Sequence, residues 1–214
     1  SAPRLHGMLQ SVLQSVLVLA VAGSATASRA HSESRGATRS YMGLPPVRAI
    51  QNALDTATGG FALTVQDCGV HDEHSGFGRA FLMTNVPFLF AGARLVRHTQ
   101  FALGASLGMA GLLSHNYHFT QLSRGGNAPE TSLALLADYA GAGTATAGVV
   151  RKLSSSGGLA VLRARPALAS CFVLGGASFV SGWFTDPQRP SQYITLHGAW
   201  HVLTAAAIYQ LAVL

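Results

Sequence analysis

Residues 193–214 read YITLHGAWHVLTAAAIYQLAVL, a run without a charged side chain whose two histidines, His197 and His201, sit near its start. Written as an α-helix at 1.5 Å per residue, it is ~33 Å long, enough to cross the ~30 Å hydrocarbon core of a bilayer. Four further apolar stretches precede it, at 77–95, 100–121, 131–150 and 166–184. The first contains Asn85 and Pro87, which a membrane helix tolerates when its neighbours re-satisfy the freed backbone groups. The segment ahead of the fourth, Leu159 to Arg165, is too basic to enter lipid. The expected fold is therefore all-α: a polytopic membrane helical bundle of about five transmembrane helices, with an N-terminal amphipathic or membrane helix.

Composition supports this reading. Of 214 residues, 49% are hydrophobic and only 10% charged, and 24 are glycine. Soluble domains carry about a quarter charged residues, so this chain has too few to coat a water-facing surface. The formal charge of +6 does not point to nucleic acid, because the basic residues form no run interleaved with aromatics. They flank the apolar stretches instead. Arg94 and Arg97 join the first two; Arg151, Lys152, Arg163 and Arg165 join the third and fourth. The opposite loops hold only Arg124 and Arg189. The positive-inside rule places the richer set of loops toward the cytosol or its organellar equivalent.

Two segments are expected: 1–76, an N-terminal helix followed by a polar extramembrane or interfacial stretch, and 77–214, the bundle. Within the first, residues 5–23 read either as a signal-peptide core ending at Ala25-Thr26-Ala27 or as a retained helix, with Leu5, Met8, Leu9, Val12, Leu13, Val16 and Leu17 at helical spacing. The retained helix is the preferred reading. Val47, Ile50, Ala53 and Leu54 suggest a short amphipathic helix over 47–58. The Ser- and Arg-rich stretch from Arg29 to Arg39 suits an organelle transit region, favouring a chloroplast or mitochondrial membrane over the secretory pathway. Cys68 and Cys171 have no metal-type spacing. The glycines at 104, 108, 141, 143 and 148 suit close helix–helix contact.

The chemistry-bearing residues come to one depth. Ser114, His115 and His118 lie near the far end of the second stretch, Asp138 about two turns into the third, and His197 and His201 in the first two turns of the last. The alternation of helix directions brings all of them within ~10–15 Å of the less basic membrane face. His197 and His201 are four apart, so both rings share one side of their helix. Three imidazoles from two helices form a plausible zinc site with a fourth position for water, and a carboxylate on a third helix could act as that water's base. Seven of the eight acids fall in segments read as loops; Asp138 is the exception, and an acid inside a membrane helix costs several kcal/mol. A plainer reading stays open for each residue. A His-x-x-x-His pair at a helix head can bond lipid headgroups, and Asp138 can pair with an arginine or serine.

The order Ser114-x-x-x-His118, Asp138-Tyr-Ala-Gly and His197-x-x-x-His201-Val-Leu resembles the superfamily of alkaline ceramidases, progestin and adiponectin receptors, and Per1- and TMEM8-type proteins. The Asp138 and His201 motifs are similar to the receptor branch, and Thr84-Asn85-Val-Pro-Phe88 with Asp67-Cys68 to the ceramidase branch. The resemblance implies a seven-helix membrane hydrolase, with zinc on His118, His197 and His201 and with Ser114 and Asp138 beside the catalytic water. Two departures stand out. The interval from Asp138 to His197 has room for one helix where the family has three, and Asp67-Cys68-Gly69-Val70 lacks the acid and asparagine of the ceramidase calcium pattern.

Two functions follow. One is a zinc-dependent lipid amide or ester hydrolase of reduced size. The other is a non-catalytic accessory subunit of a large organellar membrane complex, a photosystem or respiratory complex, contacting lipids and other membrane subunits. In a photosystem, His98, His118 or His197 would ligate chlorophyll one at a time. Convergence of the histidines favours the first function, and dispersal the second. A small transporter is disfavoured by the lack of an inverted repeat.

Overall fold

The computed structural model describes residues 49–50, 52–53, 56, 74–126, 128–185 and 189–214. The chain divides into two units, Ser1–Thr64 and Val65–Leu214. In the first, the described positions of the expected 47–58 helix, at 49, 50, 52, 53 and 56, are helical. Residues 5–23 and the Asp67-Cys68 motif lie outside the described residues. Everything below concerns the second unit.

Among its described residues this unit has seven helices: α1 (Gly76–Met83), α2 (Val86–Arg97), α3 (Phe101–Arg124), α4 (Pro129–Ser155), α5 (Leu159–Ala164), α6 (Pro166–Trp183) and α7 (Pro190–Leu211). No strand occurs among the described residues, so the fold is all-α. α2 packs on both α3 and α7, while α3 packs on α4 and α7 on α6. The order across the bundle is thus α4-α3-α2-α7-α6, with α1 continuing α2's path against α3 and α7. Between α4 and α7 there is one long helix, α6, as the short interval from Asp138 to His197 requires.

The first apolar stretch, expected as one span, is two helices. Pro87 has no N–H to offer the preceding turn, and the chain breaks at Thr84-Asn85. The side chains at the break add to the tight backbone bonds there: Thr84 Oγ1 donates to Phe81 O at 2.6 Å and Asn85 Nδ2 to Leu82 O at 3.3 Å. α1 starts from Ser75, whose hydroxyl accepts from Gly78 N–H at 2.8 Å.

Of the expected spans, α4 is long and apolar enough to cross a membrane by length and composition; α6 is apolar but shorter. α3 and α7 have the length but carry polar groups that lower their mean hydropathy, and many of these are buried: Ser114, His118 and Gln121 on α3, His197 and His201 on α7. The α2–α3 contact depends on glycine. A Cβ on Gly92 would sit 2.7 Å from Gly104 O, and one on Gly104 would sit 2.6 Å from Gly92 O. Gly108, which belongs to the same sequence pattern, has open space around it instead.

Two apolar clusters form the core. The larger joins Leu95, Leu107, Val149, Leu168, Ile208 and Leu211 with their neighbours. The smaller holds Phe81, Leu82, Leu122, Tyr193 and Ile194 at the opposite end.

Candidate metal centre

α3 and α7 bring His118, His197 and His201 together at the end of the bundle that holds the smaller cluster. One ring nitrogen from each lies within 4.8 Å of the other two, and all three residues are buried. α2 lies between α3 and α7 along the larger cluster. Where α2 gives way to α1 at Thr84-Asn85, the histidines fill the seam.

Hydrogen bonds fix the tautomers of two rings. The Thr84 hydroxyl gives its one proton to Phe81 O, so toward His201 it can only accept; His201 Nδ1, 2.9 Å away, must therefore carry the proton. That leaves His201 Nε2 as a lone-pair donor. His118 Nδ1 lies 2.9 Å from Gln121 Oε1, an acceptor with no proton to give, so His118 Nδ1 donates and its Nε2 keeps the lone pair. His118 Nε2 is buried without a hydrogen-bond partner. Both nitrogens of His197 are buried and unpartnered as well. Leaving a buried polar atom unpaired costs about 1–3 kcal/mol. The three atoms belong to two of the converging imidazoles, and with His201 Nε2 one nitrogen from each ring could hold a metal ion.

The donor set suits zinc. Tetrahedral zinc with nitrogens at ~2.0 Å needs N···N separations of ~3.3 Å, so the cluster must tighten by roughly 1.5 Å. His197 is the ring able to move, since no hydrogen bond restrains it. Aromatic rings surround the histidines. Phe81 touches His118 at a centroid distance of 4.5 Å, Tyr117 touches it at 4.6 Å, and Trp200 lies 4.9 Å from His197.

Ser114 and Asp138 join this group. Ser114 Oγ lies 3.5 Å from His201 Nε2, and the Ser114 side chain is the hydrogen-bonding neighbour of the Asp138 carboxyl. Both are buried. The five residues singled out in the sequence are thus neighbours, contributed by α3, α4 and α7. His115 turns aside to Leu82 O at 3.3 Å, and His98 is exposed beyond the end of α2. Sequence reasoning missed Thr84 and Gln121 as partners of the histidines. Gln121 had a signal, three residues after His118 on the same helix face; Thr84 stood in the ceramidase-like motif, but nothing local tied it to His201, more than a hundred residues away.

Comparison with protein-family models, curated proteins and solved structures finds no match in any of the three.

Proposed function

We propose that the chain is an integral membrane protein that holds zinc on His118, His197 and His201 and hydrolyses an amide or ester bond of a lipid. The observation that carries this reading is the convergence of three buried histidines, with ring nitrogens of His118 and His197 left without a hydrogen-bond partner. A bound zinc ion would acidify a water molecule and polarise a carbonyl. Asp138 would then take the proton from the attacking water, and the Ser114 hydroxyl would donate to the carbonyl oxygen as charge develops there. The membrane part of the reading draws on polarity. Phe90, Phe101 and Val173 are 63–69% exposed, while Asn85, Ser114, His118, Gln121, Thr131, Asp138, His197 and His201 are buried. Large apolar side chains on the exterior, with polar groups buried inside, suit lipid as solvent. The convergence of His118 and His197 favours one shared metal over pigments held one per histidine.

Metal analysis of the purified chain tests the reading directly. The expected result is about one zinc per wild-type chain, and none after His197→Ala/His201→Ala, as for a tetrahedral site stripped of two of its three protein ligands. Metal-free wild-type protein would remove the hydrolase and leave an accessory membrane subunit as the better reading. Given bound zinc, Asp138→Asn should retain the metal and lose turnover of lipid amides and esters.

A further inference from the structure

At the end of the bundle away from the histidines, Arg94, Arg97 and His98 of α2 and its following turn meet Tyr209 of α7 around a cavity of about 360 Å³. Phe90 and Ala93, one turn back along α2, supply its apolar wall. The Arg94 guanidinium lies 3.9 Å over the Tyr209 ring, a stacking that fixes its plane and leaves its edge donors free to serve an acceptor. No carboxylate side chain faces this cavity among the described residues. The described acids are Glu130 and Asp138, both on α4. Glu130 pairs with Arg124 at 3.3 Å, and Asp138 is buried beside Ser114.

The turn that closes the cavity is strained. Thr99 has φ 63°, a left-handed conformation that a β-branched residue rarely adopts. Gln100 pins it from both sides, its N–H bonding Leu95 O at 2.9 Å and its side chain bonding Ala212 O at 3.3 Å. Arg151, Lys152, Arg163 and Arg165 belong to the same end, because Leu153, Val161 and Leu162 beside them pack on the larger cluster with Leu95 and Leu211.

We propose that this cavity binds the phosphate of an anionic phospholipid, with Arg94 and Arg97 as donors, Tyr209 as the platform that orients Arg94, and Phe90 against the acyl-chain side. Paired guanidiniums that meet no carboxylate side chain among the described residues match a phosphodiester. The exposed Phe90 continues the site toward hydrocarbon, which a free phosphate ion would not use. The assignment rests on the membrane placement proposed above and is independent of zinc.

Native mass spectrometry of the full chain in detergent, supplied with phosphatidylglycerol or phosphatidylcholine, reads the site. Wild type should retain one phosphatidylglycerol in clear preference to phosphatidylcholine. Retention should fall about fivefold for each arginine removed in Arg97→Gln and Arg94→Gln/Arg97→Gln, at ~1 kcal/mol per basic residue. Arg151→Gln/Lys152→Gln, basic but outside the cavity, should behave as wild type. Arg97 is exposed, so its single variant keeps the measurement usable if the double variant folds poorly. Equal retention of both lipids by wild type overturns the site, as does equal loss in the Arg94/Arg97 and Arg151/Lys152 variants, which would mean diffuse attraction. Displacement of the lipid by millimolar inorganic phosphate would reassign the cavity to a free anion. Failure of the membrane reading has its own signature, release of the chain from membranes by an alkaline wash.

Discussion

α3 and α7 each change character along their length. At one end α3 contributes Leu107 and Ala110, and α7 contributes Ala207, Ile208 and Leu211, to a closely packed aliphatic cluster rimmed by arginines. At the other end the same helices bury Ser114, His118 and Gln121 against His197 and His201, with three ring nitrogens left unpaired. The aliphatic end is held mainly by packing, with Gln100 Oε1 at its edge buried without a partner. The histidine end bears desolvation costs that its own hydrogen bonds do not offset. One end supplies stability and the other uses it.

If that division is right, substitutions at the two ends should separate in kind. The largest effect is expected at the histidine end in metal content, where His118→Ala should abolish stoichiometric zinc while the helical circular dichroism of the chain persists. At the aliphatic end, Leu168→Ala should cost about 2–4 kcal/mol in thermal or denaturant unfolding, with the metal content of the folded fraction unchanged. A Leu168→Ala chain that folds normally but loses zinc would break the comparison. Smaller changes are expected from the groups that orient the rings. Thr84→Val and Gln121→Ala should each weaken zinc about 10- to 100-fold in a chelator competition, whereas Thr84→Ser and Gln121→Glu should retain it, because each keeps an acceptor for the ring N–H. Loss of zinc in Thr84→Ser as well would mean that Thr84 matters for packing and not as a hydrogen-bond acceptor. The smallest effect belongs to Glu130→Gln. Its pair with Arg124 is solvent-exposed, so stability should change by less than about 1 kcal/mol and zinc not at all.

The sequence made the histidine end more legible than its supports. His197 and His201 stand out because helical spacing puts them on one face, and Asp138 because a lone acid in an apolar run is costly. Both signals are local, and the helices preserve them. Thr84's part in the site was invisible for the opposite reason. A threonine beside an asparagine and three residues before a proline reads as a weakened span, and its bond to His201 exists only once the end of α1 and α7 are packed. The same blindness turned α1 and α2 into one expected span, since periodicity continues through a break that Pro87 enforces. Hydropathy also misjudged how plainly the helices would declare themselves. Among the described residues α4 alone passes as a membrane helix by length and composition, because α3 and α7 carry polar residues that are buried inside. The expected N-terminal helix over 5–23 lies outside the described residues.

The break at Thr84-Asn85 also bears on how far this protein tolerates shortening. A chain beginning at Val86 would keep α2 to α7 and every charged residue of the proposed lipid cavity. It would lack the Phe81 ring that rests 4.5 Å from His118 and the hydroxyl that holds His201 Nδ1. Such a chain would be a bundle with its lid removed, able to fold at the aliphatic end and to receive lipid, yet with the histidines open to solvent. α1 and its C-terminal Thr84 thus divide an open helical bundle from one whose histidines are enclosed.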